Sequence, residues 1–285
     1  FDMTIESLAR LNAQMKAEKV DRTVVFFLIS RQPCKSINAE ELRSHAMMEE
    51  LRGTSERMTE QIHERLFVQV AGGTIPNIDS LVDDSMKLRL RRMMHAWRSN
   101  RLPSIVTHDL VDDQNDEVLG KLRACQLFNA PEDPVKVVYH PDFINPSNPL
   151  FGMDYDQFVR GCHLGIFPSA YEPWGYTPLE CVARGIPAIT SDLAGFGTYI
   201  QETMPDYKDK GIFVVNRRSR SFEDATREMT EWMLQLTKLG RRERIALRNG
   251  VESGAAAFDW DQLVKFYFAA ENLAAEAMAA EAANA

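Results

Sequence analysis

The stretch G-C-H-L-G-I-F-P-S-A-Y-E-P-W-G-Y-T-P-L-E-C-V-A-R-G-I-P-A-I-T-S-D-L-A-G-F-G-T-Y-I (161–200) decides the fold. An apolar strand over 163–167 stops at Pro168, and a loop bearing Pro173 and Gly175 leads into a helix over 177–184. A second strand over 187–190 and a second helix over 195–201 follow at once. The same alternation continues outward in both directions. Downstream lie a strand at 211–215 and helices at 222–239 and 241–256. Upstream lie strands at 135–139, 104–108 and 23–29, with helices at 154–161 and 115–128. The run T-V-V-F-F-L-I (23–29) is apolar and β-branched throughout, as strands of a buried parallel sheet are. Strand and helix alternating at this spacing predict an α/β fold with a doubly wound, Rossmann-like parallel sheet.

Two segments stand outside that pattern. Residues 38–100 are polar, with Leu42, Met47, Leu51, Met58, Ile62 and Leu66 near helical spacing, and a second helix follows in L-R-L-R-R-M-M-H-A-W-R. Long helices with thin apolar stripes need a partner. An insertion packed on its own domain and helix pairing between subunits both satisfy that need. The tail over 269–285 is rich in Ala and Glu and reads as a solvated terminal helix. The expected organisation is a nucleotide-binding domain over 1–37 and 101–268, a helical insertion over 38–100, and the tail. Ile5, Leu8 and Leu11 already follow helical spacing after Phe1, so the sequence reads as a fragment that opens inside an element, without the n-region of a signal peptide.

Composition narrows the function classes. The 285 residues carry 33 Lys and Arg against 41 Asp and Glu, a net charge of −8, which disfavours nucleic acid and anionic membrane as partners. No apolar run approaches the length of a membrane-spanning helix. Cys34, Cys125, Cys162 and Cys181 are scattered without a C-x-x-C pair, which argues against a zinc site or a disulfide framework and suits a reducing cytoplasm.

The chemistry concentrates between 168 and 180. Ligands of parallel α/β sheets bind at the carboxyl ends of the strands. Thr177 is a good N-cap and Pro178 a good first helical residue, so the free amides of a helix start there face a phosphate. Gly175 allows close backbone approach. Glu172 and Glu180, eight residues apart, are expected in the loop and in the helix's first turn, a placement that lets both line one pocket. Spacing alone leaves open acid–base chemistry, or one carboxylate on sugar hydroxyls and one at a helix start.

E-P-W-G-Y-T-P-L-E is the E-x7-E pattern of retaining GT-B glycosyltransferases, and with R-G-C-H-L-G-I-F-P-S before it the string resembles the eukaryotic-type glycogen synthases. S-L-A-R-L-N, I-V-T-H-D-L-V-D-D, V-V-Y-H-P-D-F, D-Y-D-Q-F-V-R-G-C-H, L-A-G-F-G, R-R-S-R-S and R-R-E-R-I-A-L-R-N extend the resemblance over most of the chain. It implies the C-terminal, nucleotide-binding half of a GT-B fold and retaining transfer of glucose from UDP-glucose to the non-reducing end of an α-1,4-glucan. Glu172 is then the carboxylate at the anomeric carbon, and Glu180 the ribose-binding one. Gly175, Tyr176 and Thr177 offer amides to the diphosphate, Tyr155 stacks on uracil, the Phe143 backbone meets the base, and Trp174 shapes the sugar pocket. No D-x-D cluster stands at the loop, so no metal and no cofactor are expected. The Arg and Lys that hold the donor phosphates in this family fall in a stretch just ahead of Phe1, so the chain alone is expected to be inactive.

By the same resemblance, Arg241, Arg242, Arg244 and Arg248, with His163, bind glucose 6-phosphate as an activator. Taken without it, the four arginines form an ordinary solvated basic face. The family's two further arginines fall at Gly250 and Ser253 here. The resemblance also implies a cytoplasmic homotetramer joined through 38–100, a glycogen acceptor and a glycogenin-like primer protein. Two alternatives stand beside it. One is another retaining GT-B transferase of the sucrose or trehalose-phosphate synthase kind. The other is a nucleotide-binding and oligomerisation module without catalysis.

Overall fold

The computed structural model describes residues 1–97 and 102–283. Arg98 to Asn100, the end of the expected helical insertion, and Asn284 and Ala285 of the tail lie outside the described residues. The elements run α1 (Asp2–Ala17), β1 (Val24–Ile29), β2 (Cys34–Ile37), α2 (Ala39–Ala71), α3 (Ile78–Leu81) and α4 (Asp84–Trp97). Then come β3 (His108–Leu110), α5 (Glu117–Ala124), β4 (Val135–His140), α6 (Tyr155–Gly161), β5 (Gly165–Ile166) and α7 (Tyr176–Ala183). β6 (Ala188–Ser191), α8 (Gly195–Thr203), β7 (Ile212–Val215), α9 (Phe222–Lys238), α10 (Arg241–Ala255) and α11 (Trp260–Ala283) complete the chain. The protein is mixed α/β with parallel strands and much helix. It divides into two compact units, 1–22 with 144–147 and 153–285, and 23–143 with 148–152.

In the first unit β5, β6 and β7 form a parallel ladder in that order, with Ala188↔Ile212 and Ile166↔Ile189 in register. β6 is central and buried at every residue, which explains why its sequence is continuously small and β-branched instead of alternating. Val182, Ile186, Phe196, Ile200, Ile212 and Val251 bring α7, α8, β7 and α10 onto one core. Ile5, Leu8, Leu11 and Met15 bury one face of α1, and α1 packs on α9. Small hydroxyl residues mark that contact: Ser7 Oγ donates to the Thr226 carbonyl at 3.2 Å and Thr230 Oγ1 to the Ser7 carbonyl at 3.3 Å. The Arg10 guanidinium grips both Glu223 oxygens at 2.6 Å.

In the second unit β1 pairs with β4 in parallel from Val24↔Val135 to Ile29↔His140. The strand expected at 104–108 is reduced to a bridge, Val106 with Tyr139. The chain then turns into β3, antiparallel to β2, an element that the polar string C-K-S-I does not announce. Asn129, at φ 58°, offers its side-chain amide to both backbone groups of Val137, at 2.7 and 2.9 Å, as a neighbouring strand would. The helices expected in 38–100 form as α2 and α4 with the short α3 between them. Arg65 holds that turn, donating to the Leu81 carbonyl at 2.9 Å and to Asp83 at 2.6 Å. Only Thr54 and Met58 of α2 are buried, whereas Leu51, Phe67 and Val70 are exposed.

Candidate functional site

β5 hands over to a loop that the ends of β6 and β7 hold. Phe167 N extends the ladder to the Ile189 carbonyl at 2.8 Å. The next two carbonyls are taken by side chains: Arg217 Nη1 donates to Pro168 O at 2.5 Å and Ser191 Oγ to Ser169 O at 2.6 Å. Arg217 is itself fixed, because its amide donates to Asp192 Oδ1 at 2.8 Å, and the same buried carboxylate takes the Arg218 amide. Three strand ends are thus laced together on their carboxyl side, where open α/β sheets take ligands.

Glu172 follows within this loop. Ser169 Oγ donates to Glu172 Oε2 at 3.0 Å. The backbone on either side of Pro173 caps α8. Gly195 N donates to the Glu172 carbonyl at 3.0 Å, and Phe196 N to the Trp174 carbonyl at 2.6 Å. Two of the amides that a helix start leaves without an intrahelical partner are therefore satisfied by the loop itself. The start of α7 differs. Its N-cap is Gly175, at φ 127° and ψ 66°, with no side-chain cap. The expectation of Thr177 as N-cap and Pro178 as first residue is corrected by two places. The positive φ that only glycine takes readily lets the turn close before Thr177. Glu180 accordingly lies beyond the first turn. Tyr176 and Thr177 keep first-turn amides without intrahelical acceptors, and Pro178 has none to donate.

Glu180 is brought to Tyr155. Burial, together with the charge of this neighbouring carboxylate, pushes the Tyr155 phenol up to about 12. Asp154 caps α6 in a capping box with Gln157, which fixes the turn that presents Tyr155. Arg184 pairs with Asp156 and donates to the Glu180 carbonyl at 2.8 Å, bracing α7 against α6. The Trp174 ring packs against Phe196 and Tyr199, with centroids 5.9 and 5.5 Å away. Tyr176 is exposed. Cys181 is buried under α7, and burial pushes its thiol up to about 12, so it stays protonated and unreactive near neutral pH.

Phe143 belongs to the second unit. Its ring is exposed, and the Arg31 guanidinium stands 5.7 Å from its centroid. It follows β4, whose last residue, His140, is completely buried. Thr107 Oγ1 bridges His140 Nδ1 at 2.8 Å and His108 Nδ1 at 2.9 Å. Burial lowers His140 to about 4.

Of the arginine helix, Arg241 and Arg242 are exposed at the start of α10. Arg244 Nη1 turns back to the Leu239 carbonyl at 2.9 Å. Arg248 Nη2 reaches the Arg160 carbonyl at 3.3 Å, at the end of α6 and three residues before the exposed His163. Ser169, Ser191, Asp192 and Arg217 were not singled out from the sequence. The signal that was present is local: Ser169 stands three residues before Glu172, one turn's spacing.

The glycogen synthase family model matches residues 1–284. A glycogen [starch] synthase of Caenorhabditis elegans is 43% identical over 279 residues, covering 96% of this chain and 41% of that protein. Isoform 2 of Saccharomyces cerevisiae is 41% identical over 285 residues, covering 96% of this chain and 40% of its own length. The human liver protein is 38% identical over 272 residues, with 95% and 39% covered. The chain spans about two fifths of the length of these relatives. It belongs to the glycogen synthase family.

Proposed function

We propose that this chain is the donor-binding, C-terminal half of a glycogen synthase, with the Rossmann-like architecture of a GT-B enzyme. The longer protein transfers glucose from UDP-glucose to the non-reducing end of an α-1,4-glucan with retention. The observation that carries this reading is the Glu172 carboxylate, fixed by Ser169 at the carboxyl end of the β5–β6–β7 ladder and followed within the same loop by the start of α7.

In this mechanism Glu172 orients the glucosyl ring and stabilises the positive charge that develops at the anomeric carbon. The bond from that carbon to the diphosphate oxygen breaks while the bond to the acceptor 4-oxygen forms on the same face. The acceptor hydroxyl's proton passes to the departing phosphate oxygen. The amides of Gly175, Tyr176 and Thr177 take the growing negative charge at the helix start. Glu180 holds the ribose hydroxyls, Tyr155 stacks on the uracil, and Trp174 backs the sugar pocket. The protein works without a metal or cofactor.

Regulation and assembly follow the family. His163, Arg241, Arg242, Arg244 and Arg248 bind the phosphate of glucose 6-phosphate, which activates the enzyme. The exposed apolar residues of α2 and α4 join a cytoplasmic homotetramer, and a glycogenin-like protein supplies the primer. The test is glucose incorporation into glycogen from UDP-glucose by the full-length protein, with and without glucose 6-phosphate. Incorporation raised by the sugar phosphate and abolished by Glu172→Ala is expected. Undiminished transfer by Glu172→Ala would overturn the assignment of that carboxylate. No transfer to glycogen by the unsubstituted protein would move the function to another GT-B enzyme.

A further inference from the structure

We propose that Ser169 is a positioning residue that holds the Glu172 carboxylate in its reactive orientation, an inference that rests on the role of Glu172 given above. A glutamate on a loop has three side-chain torsions to fix. Among the described residues, Ser169 Oγ, at 3.0 Å from Oε2, is the one side-chain donor to this carboxylate. A hydrogen bond to an ionised acceptor is stronger than a neutral one, so one hydroxyl suffices to select a rotamer.

The donor is rigid because its own backbone is. The Ser169 carbonyl accepts from Ser191 Oγ at 2.6 Å and its amide donates to Phe167 O at 2.8 Å. The preceding carbonyl, of Pro168, is held by Arg217 at 2.5 Å. Arg217 is anchored in turn on the buried Asp192. Glu172 is thus held by a hydroxyl that is itself fixed to two strand ends.

The proposal separates orientation from binding. Removing the hydroxyl leaves the nucleotide contacts in place and lets the carboxylate rotate away from the anomeric carbon. The experiment measures steady-state transfer and UDP affinity for Ser169→Ala, Ser169→Thr and Glu172→Ala in the full-length protein, with melting temperatures alongside. The expected result for Ser169→Ala is a kcat about tenfold lower, with the KM for UDP-glucose and the Kd for UDP within about twofold of the parent. Ser169→Thr, which keeps the hydroxyl, restores kcat to within about threefold. An unchanged kcat in Ser169→Ala overturns the proposal. So does a parallel fall of kcat, UDP affinity and melting temperature, which is the signature of a collapsed loop. If Glu172→Ala keeps full activity, the role of Glu172 itself is wrong. If Glu172→Ala is inactive while Ser169→Ala is fully active, only the positioning role is lost.

Discussion

Gly195→Ala strikes the site loop from behind. A β-carbon on Gly195 would lie 2.1 Å from the Pro173 carbonyl oxygen, 3.1 Å from its carbon and 3.2 Å from Trp174 Cα. Carbon and oxygen come to rest at about 3.3 Å or more, so the carbonyl has to withdraw by about 1.2 Å. It cannot do so alone. The carbonyls on either side of it, of Glu172 and Trp174, accept from Gly195 N and Phe196 N at 3.0 and 2.6 Å. Parting both bonds costs about 1 kcal/mol each, and steric strain in a packed core adds about another 1 kcal/mol. The expected destabilisation is about 3 kcal/mol, read as a lower urea midpoint for the unit that holds β5 to β7.

The same displacement moves the Glu172 backbone. A misplacement of about 1 Å costs on the order of 100-fold in rate, so transfer by the full-length protein should fall by that factor. Gly120→Ala is the control. Gly120 lies inside α5 with nothing within 4 Å of an added β-carbon, and alanine there should stabilise by about 0.5–1 kcal/mol. A Gly195→Ala protein with unchanged midpoint and activity would show that the loop yields freely and that α8 does not hold it.

His140 makes the second unit acid-sensitive. Its folded pKa of about 4 lies below the ordinary 6.5, so the unfolded chain binds more protons between these values. Stability should therefore decline as pH falls from about 6.5 toward about 4. His140→Asn should flatten that part of a pH series of urea midpoints. Tyr155→Phe keeps the ring and loses only the hydroxyl near Glu180, so UDP affinity by calorimetry should change by less than about threefold. Tyr155→Ala should cost about tenfold or more, because the stacking face goes. Arg248→Ala should cut the activation by glucose 6-phosphate at least about tenfold, measured as the ratio of activated to basal transfer. An unaltered ratio would return the arginines to a solvated face.

Where sequence and structure agree, a strong local period is the reason. Ile5, Leu8 and Leu11 place α1, because burial on one stripe leaves a direct mark on residue order. The apolar run at 23–29 does form a strand, β1, but the burial expected of it is not met: only Leu28 is buried, and Val25 and Phe27 are exposed. The helix expected over 154–161 forms as α6, starting one residue later with Asp154 as its cap, whose side chain accepts from Gln157 N at 2.8 Å. Disagreement comes where distant pairing decides. β2 carries Lys35 and Ser36 and exists because β3 lies beside it, which no local pattern records. The expected strand at 104–108 keeps its backbone bonds to Tyr139 but bends toward β2 before it can lengthen. Thr177 loses the capping position because a positive φ at Gly175 outweighs a hydroxyl's preference two residues on. Among the site residues, Glu172 and Glu180 stand out by type and spacing. Ser169 and Asp192 do not, because hydroxyls and short carboxylates in loops are common and their partners lie elsewhere in the sequence.

The glycines of L-A-G-F-G give that resemblance string a physical cause. Neither Gly195 nor Gly197 has the positive φ that usually explains a glycine. Both stand where backbone meets backbone, since a β-carbon on Gly197 would lie 2.0 Å from the Ser191 carbonyl oxygen. The two contacts press on the two segments that matter. Gly195 touches the chain beside Glu172, and Gly197 touches Ser191, whose hydroxyl holds Ser169. The first turn of α8 is therefore a template against which the loop is set, with the two glycines allowing the approach and two amides fixing it. Close approach rather than flexibility is what these glycines supply. A site built this way holds its carboxylate in place before any ligand arrives, so little reorganisation remains to be made on the way to the transition state.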